Sequence, residues 1–282
     1  MDKREAMLRE LNLYPRWQLR VRSARVVQQE PAQISKAPGT IAPAVTVKKT
    51  SPASGSPNMG GRADIGSLGW TELKQQVRDC TACKLRAGCT QTVFGVGDEK
   101  AGWLFVGEGP GADEDVQGEP FVGQAGKLLD NMLMAINLKR GNDVYIANIV
   151  KCRPPGNRNP EADEIAACLP YLQRQIELIQ PRIIVALGKV ASNALLGRDA
   201  TLASLRGKPH DYHVATATGL DAIQGEEGSH LSSIPHQTTS SHRVRTTIPL
   251  IVTYHPAYLL RSPTEKAKAW QDLCMAVDIM KA

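Results

Sequence analysis

Residues 102–123, GWLFVGEGPGADEDVQGEPFVG, decide the fold of this chain. They begin with a short apolar run and continue into glycines and acids, a pattern that predicts a buried strand followed by a loop. Three more apolar runs follow at residues 143–150 (DVYIANIV), 181–188 (PRIIVALG) and 248–256 (IPLIVTYHP). The sequence therefore predicts a sheet built from at least these strands.

Helical segments lie between and around these runs, and they are predicted at residues 69–79, 124–137, 160–178, 189–196 and 264–281. Strands that alternate with helices form a parallel sheet covered on both faces, which is an α/β fold. Ligands of such sheets bind beyond the carboxyl ends of the strands. The loops that follow the strands are therefore where a functional site is expected.

Three of the predicted strands end in residues suited to recognition chemistry. The first runs into Glu108 and a glycine-rich loop that holds Phe121, which is better placed as a stacking surface than as a core residue. The second ends in Asn148, whose amide offers a donor and an acceptor that match the Watson–Crick edge of a pyrimidine. The fourth ends near His255. The alternatives are a merely solvated acidic loop and a strand-end Asn that caps a loop.

Four cysteines have the spacing of metal ligands. Cys80 and Cys83 form a C-x2-C pair, whereas Cys152 and Cys168 lie far along the chain with fifteen residues between them. C-x2-C lets two thiolates hold one metal centre, and the long separation favours a clamp in a larger domain over a compact finger. Spacing alone leaves zinc, an iron–sulfur cluster and ordinary buried thiols open. Cys89 is expected to be a spare thiol.

The N-terminal part of the chain differs from the rest. Residues 1–66 carry eleven Lys and Arg against five Asp and Glu, which accounts for the whole net charge of +6 and suggests a polyanionic partner. Residues 1–25 predict an amphipathic docking segment, and residues 26–66, rich in Pro, Ala, Ser and Gly, predict a disordered linker to a domain at 67–282. We expect a cytoplasmic protein without membrane contact, since no apolar signal segment or bilayer-long apolar run is present.

Residues 208–247 interrupt the alternation of strands and helices. The stretch is polar and holds five of the six histidines. We predict a mobile surface insertion. A second metal site is the alternative, although only His210 and His213 are close in sequence.

Three stretches carry a family resemblance. GEGPGADEDVQGEPFVGQAGKLLD (107–130), NIVKCRPPGNRNP (148–160) and YHPAYLLR (254–261), with the four cysteines, closely resemble family 4 uracil-DNA glycosylases. The resemblance covers residues 67–206 and 244–281. It implies a three-layer α/β/α sandwich with a central parallel sheet. It also implies a structural [4Fe–4S] cluster that is held by the four cysteines and takes no part in the chemistry.

The resemblance implies hydrolysis of the bond between uracil and deoxyribose in single- or double-stranded DNA. Phe121 would stack on a uracil flipped out of the DNA, and Asn148 would pair with its polar edge. Glu108 and the backbone of Gly109 would line the same pocket. Because no lysine occupies a motif position that would form a Schiff base, we expect a monofunctional enzyme that leaves an abasic site.

The resemblance also places the remaining site residues. Glu114 would lie near the attacking water and is the favoured catalytic carboxylate, with Glu108 as the second, and His255 would face the uracil O2. The DNA phosphates would be approached by four residues, which are Gly156, Asn157, Arg158 and Arg261.

A second resemblance concerns the N-terminus. Residues 3–20 look similar to the N-terminal peptide of the psi subunit of bacterial replicative clamp loaders, which implies a replisome contact through residues 1–25. We expect a monomer in the bacterial cytoplasm. The rival hypothesis is a non-catalytic iron–sulfur or zinc module that only binds DNA.

Overall fold

The structure is a computed structural model that describes residues 65–214 and 247–282. The expected docking segment at 1–25 and the expected linker up to residue 64 lie outside the described residues. Residues 215–246 of the expected insertion also lie outside them. No helix of the described ranges is long and apolar enough to cross a membrane.

A six-stranded sheet forms the centre of the fold, in the spatial order β1-β3-β2-β4-β6-β5. Strands β3, β2, β4 and β6 are parallel, and β1 and β5 add antiparallel edges. The predicted parallel sheet is confirmed for these four central strands. The strand bounds are β1 Val96–Gly97, β2 Trp103–Gly107, β3 Val144–Asn148, β4 Ile183–Leu187, β5 Pro209–His213 and β6 Thr247–Thr253.

All five predicted helices are present, and within residues 65–214 and 247–282 three short α-helices accompany them. Helix α4 begins with a capping box, in which the Glu164 carboxylate accepts the backbone N–H of Glu161 at 2.7 Å. The helix bounds are α1 Trp70–Arg78, α2 Ala112–Gln117, α3 Gln124–Ala135, α4 Ala162–Ile179, α5 Lys189–Leu196, α6 Leu202–Leu205, α7 Pro256–Arg261 and α8 Lys266–Lys281.

The two faces of the sheet bury separate apolar clusters. Leu104 and Val106 of β2 pack into a cluster shared with α1, α4 and α5, whereas Trp103 and Phe105 pack into one shared with α3 and α8. Successive side chains of a strand point to opposite faces, so one fully apolar strand serves both clusters. Helices therefore cover both faces, and the expected three-layer α/β/α architecture is confirmed.

The predicted insertion does not begin at residue 208. Residues Pro209–His213 form β5, which pairs antiparallel with β6 at the sheet edge, and Tyr212 is buried. The sequence concealed this strand because four of its five side chains are not buried. An edge strand is held mainly by backbone hydrogen bonds, which leave little apolar pattern.

Candidate active site and cysteine site

The carboxyl ends of β2 and β3 place their last residues side by side. Gly107 and Asn148 are register partners, and the Ile149 N–H donates to the Gly107 carbonyl at 3.0 Å. The loop after β6 brings His255 to the same edge, where its ring centroid lies 5.4 Å from that of Phe121. The convergence of Asn148, Phe121 and His255 expected from the strand ends is present.

The side-chain oxygen of Asn148 is a buried hydrogen-bond acceptor without a donor among the described residues. Its side chain is almost fully buried, and Oδ1 has no hydrogen-bond partner among the described residues. Leaving a buried acceptor unpaired costs about 1–3 kcal/mol. The arrangement is therefore expected to be completed by a ligand that carries an N–H group.

Gly107 lies directly against this acceptor and against the ring of Phe121. A Cβ at Gly107 would lie 2.5 Å from Asn148 Oδ1 and 2.5 Å from Cζ of Phe121. Only glycine lets the amide and the aromatic ring approach the end of β2 this closely. The amide of Asn148 and the ring of Phe121 therefore lie next to each other at the carboxyl edge of the sheet.

Phe121 has an unusual backbone conformation. Its φ is +57°, in the left-handed region that costs a non-glycine residue about 1–2 kcal/mol. Arg140 holds this turn, since its guanidinium donates to the carbonyls of Pro120 and Phe121, each at 2.8 Å, and pairs with Asp130. Gly126 leaves room for the turn, because a Cβ there would lie 1.8 Å from the Phe121 carbonyl oxygen.

The expectation that Phe121 lies outside the core is wrong. Its side chain is 6% exposed and belongs to the apolar cluster shared with α3 and α8. The left-handed turn directs the ring inward, where part of it covers Gly107. One side chain therefore contributes to the core and also forms a wall of the pocket.

The Glu114 carboxylate holds the glycine-rich loop in place through three hydrogen bonds from backbone N–H groups. One carboxylate oxygen accepts the N–H of Gly111 at 3.1 Å, and the other accepts those of Val122 at 2.9 Å and Gly123 at 3.1 Å. These bonds fix the residues that directly follow Phe121. The neighbouring Asp115 is buried and accepts from Thr90, at the backbone N–H and the hydroxyl.

Glu108 and Gly109 line the loop where β2 ends. Glu108 is half-buried, and burial raises the pKa of its carboxyl group. A Cβ at Gly109 would lie 2.8 Å from Cγ2 of Val150, so the chain passes close to the loop after β3. Burial therefore makes the Glu108 carboxylate a stronger base than an exposed glutamate.

His255 is held as a neutral imidazole. Its Nδ1 accepts the N–H of Ala257 at 3.1 Å and caps helix α7. Burial, aided by the positive charge of Arg261 and opposed by the negative charge of Glu114, lowers the pKa of His255 to about 4. Because Nδ1 is an acceptor, the proton of the neutral ring resides on Nε2. The side chain is therefore a neutral N–H donor at physiological pH.

The loop expected to meet DNA is only partly free to do so. Gly156 and Asn157 are exposed and have positive φ values of 62° and 56°, and Arg153 donates to Asn157 Oδ1 at 2.7 Å. Arg158, expected to approach a phosphate, instead forms a bidentate ion pair with the buried Glu164, at 2.7 and 2.8 Å. Its guanidinium is committed to helix α4. Bidentate pairs of this kind are strong; the phosphate contact of Arg158 stays a prediction. Of the predicted phosphate contacts, Arg261 is an exposed cation at the end of α7.

The four predicted cysteine ligands line one cavity, together with Lys151 and the start of the loop after α1. The backbone N–H of Lys151 donates to Cys168 Sγ at 3.2 Å. Burial is the largest cause that raises the thiol pKa values of Cys83, Cys152 and Cys168. In the ranges 65–214 and 247–282, no three Cys, His, Asp or Glu side chains converge on a point that one metal ion could occupy.

Cys89 is not an isolated thiol. It hydrogen bonds to Cys152, and the guanidinium of Arg86 lies 3.7 Å from its sulfur. A fifth cysteine therefore lies next to Cys152, although the cavity itself is lined by the other four. Its spacing of six residues from Cys83 gave no signal for this position.

Sequence reasoning missed Arg140, Lys151 and Gly107. Arg140 acts on a loop nineteen residues earlier, and no short motif reports such a contact. Lys151 looks like one more cation in a basic loop, although it is buried. The signal available for Gly107 was its position as the last residue of an apolar strand, where any side chain would obstruct the pocket.

The structure is that of an α/β protein whose sheet ends, at its carboxyl edge, in a buried amide oxygen that is unpaired among the described residues, beside a cavity lined by cysteines. The model of the uracil DNA glycosylase superfamily matches residues 94–274. The chain belongs to this superfamily.

Three relatives are named type-4 uracil-DNA glycosylases. The protein of Pyrobaculum aerophilum is 38% identical over 72% of this chain and 91% of its own length. That of Archaeoglobus fulgidus is 46% identical over 50% of this chain and 72% of its own length. That of Thermotoga maritima is 38% identical over 70% of this chain and 85% of its own length.

Proposed function

We propose that this chain is a monofunctional uracil-DNA glycosylase of base-excision repair, which cleaves the bond between uracil and deoxyribose and leaves an abasic site. The observation that carries the proposal is the buried Asn148 Oδ1, unpaired among the described residues and adjacent to the ring of Phe121. The relatives are named for the same activity.

Uracil matches this pocket in shape and in hydrogen bonding. Its N3–H would donate to Asn148 Oδ1, its O4 would accept from the Asn148 amide, and its ring would stack on Phe121. Cytosine lacks the N3–H and carries an amino group where uracil has O4. Cytosine would therefore leave Oδ1 unpaired at N3, and unpaired buried groups are what make such sites selective.

His255 would stabilise the leaving base. Cleavage of an N-glycosidic bond builds negative charge on the departing uracil, and the neutral Nε2–H would donate to its O2. A fixed donor in a site that excludes water stabilises such charge without reorganisation. The Ala257 N–H at Nδ1 supports this role, because it maintains the tautomer that donates.

Two carboxylates would act on the sugar side. Glu114 would orient the attacking water through a remaining lone pair, while its backbone hydrogen bonds keep the loop in place. Its charge already acts on His255, which supports a position near the reacting centre. Glu108, whose pKa is raised by burial, would be the second candidate for the base.

Cys80, Cys83, Cys152 and Cys168 would hold a [4Fe–4S] cluster. The thiolate donor set and the shared cavity fit this group. When bound, the cluster would supply a structural cross-link and no reacting atom. The four residues would tie the loop after α1 to the loop after β3 and to helix α4. Iron and sulfide analysis, with Cys168→Ser as the variant, measures this content.

The DNA contacts would surround the pocket. Gly156 and Asn157 would meet the phosphate backbone through an exposed turn, and Arg261 would supply charge beside His255. Glycine and backbone N–H groups suit such positioning contacts. Residues 1–25 would tether the enzyme, as a monomer, to a clamp loader in the bacterial cytoplasm, which a binding assay with that peptide tests. Free thiols throughout the described residues accord with a reducing compartment.

A single assay separates this function from a DNA-binding module without activity. Single- and double-stranded oligonucleotides with one uracil are incubated with the protein, and abasic sites are then cleaved with alkali. We expect strand cleavage only after alkali and only at uracil. Binding without alkali-labile sites would favour the rival hypothesis. Cleavage before alkali would contradict a monofunctional enzyme.

A further inference from the structure

Lys151 is a fully buried lysine between the pocket and the cysteine site. Only 1% of Lys151 is exposed to solvent. In the sequence it directly precedes Cys152 and lies three positions after Asn148. Lysine is almost never fully buried unless it is paired, because removal of its charge from water is costly. Such a residue requires a reason in the surrounding structure.

Lys151 contacts both the strand end that carries Asn148 and the cysteine site. Its Nζ donates to the Asn148 carbonyl at 3.0 Å and to Gln175 Oε1 at 2.6 Å, while its backbone N–H donates to Cys168 Sγ at 3.2 Å. Gln175 in turn donates to the Phe94 carbonyl at 3.1 Å and to the Tyr145 hydroxyl at 3.3 Å. A continuous buried network therefore joins β3, helix α4 and a cysteine ligand.

We propose that Lys151 is a positioning residue that couples the cysteine site to Asn148. The proposal rests on the base-reading role proposed for Asn148. The ammonium fixes the main chain of Asn148 at the strand end, so the direction of the Asn148 amide follows the position of the Lys151 loop. The four thiolate ligands would supply the negative charge that makes a buried ammonium tolerable at this place.

A coupling residue and a merely structural one differ in what their loss changes. When substrate is in excess over enzyme, loss of folded protein lowers the amplitude of the first turnover but not its rate constant. Displacement of Asn148 lowers the rate constant at full amplitude, because a shift of about 1 Å in a catalytic constellation costs on the order of 100-fold. It also weakens binding of free uracil, which involves no chemical step.

The test compares Lys151→Met with Lys281→Met, an exposed lysine at the far end of helix α8. For Lys151→Met at wild-type iron content, we expect a rate constant lower by about 30- to 100-fold at full amplitude. Inhibition by free uracil should weaken by about tenfold or more. Lys281→Met should match the wild type. A Lys151→Met rate constant within twofold of the wild type, or a loss seen only in amplitude, overturns the proposal.

If Lys151→Met does not retain iron, Gln175→Leu is used in its place to test the proposal. It removes one acceptor of the ammonium and should lower the rate constant severalfold. Where Lys151→Met does retain iron and the two residues act as one unit, the double variant should be no slower than Lys151→Met. An unchanged rate constant in Gln175→Leu overturns the coupling. Asn148→Ala, run in parallel, separates the two ideas: a wild-type rate there would refute the base-reading role instead.

Discussion

Replacement of Arg140 by methionine tests whether catalysis needs Phe121 to be kept in its left-handed backbone conformation. Methionine keeps much of the length of the side chain but removes both donors to the Pro120 and Phe121 carbonyls and the ion pair with Asp130. Nothing else in the pocket is changed directly. The turn at Phe121 would then lose the contacts that oppose its backbone strain.

The expected magnitude follows from these contacts. Hydrogen bonds to a charged group contribute about 1.5–3 kcal/mol each. Because the Arg140 side chain is 22% exposed, water can replace part of each bond. We therefore expect a loss of about 2–3 kcal/mol in the free energy of unfolding. Base stacking on an aromatic ring is worth about 1–3 kcal/mol, and loss of half of it lowers the excision rate constant by about 2- to 13-fold.

Urea unfolding and single-turnover excision from a uracil oligonucleotide measure the two quantities. Arg182→Met is the matched control, since Arg182 also donates to a backbone carbonyl, that of Met280 at 2.9 Å, but lies at the opposite edge of the sheet. Its rate constant should remain that of the wild type. If Arg140→Met lost stability but kept the wild-type rate constant, the contacts of Arg140 would serve only the stability of the fold and the reasoning would be refuted.

Three further predictions concern single residues of the pocket. Glu114→Gln, which replaces one acceptor oxygen by a donor facing backbone N–H groups, should lower stability by about 1–2 kcal/mol and slow excision; a near-wild-type single-turnover rate would remove Glu114 from the mechanism. His255 has a pKa lowered to about 4 from 6.5, so it binds fewer protons when folded and stabilises the fold fully above pH 6.5. That stabilisation, about 3 kcal/mol at most, should disappear as the pH falls from 6.5 towards 4, and urea unfolding of His255→Asn should lack this part of the pH dependence. Gly107→Ala should lower excision by about 100-fold, because the added methyl would collide with Asn148 Oδ1 and the Phe121 ring and displace them; excision at the wild-type rate would show that the positions of these two side chains do not matter for catalysis.

Much of the fold follows from local patterns. The four central strands are apolar on both faces, so they appear as continuous apolar runs. The helices carry apolar residues at helical spacing. Strands β1 and β5 escaped prediction because one is two residues long and the other is polar. Edge strands are specified by the backbone of their neighbour, which the sequence of the strand does not display.

The site was predictable where it depended on strand ends and on motifs. Asn148, Phe121 and His255 converge because parallel strands bring their carboxyl ends to one edge. Two features of the site could not be predicted from strand ends or motifs. Arg158 pairs with Glu164 because helix α4 begins directly beside it. The core contribution of Phe121 depends on a left-handed turn, which the chain adopts through distant contacts.

The measurement that tests the central claim most directly is single-turnover release of uracil by the wild type and by Asn148→Asp. Asn142→Asp, an exposed position in the turn before β3, controls for the added charge. Aspartate cannot donate to O4 and would oppose the charge on the leaving base. The account predicts alkali-labile sites at uracil for the wild type and for Asn142→Asp, with release at least about 100-fold slower for Asn148→Asp. Equal rates for the two aspartate variants, or no release by the wild type, would contradict it.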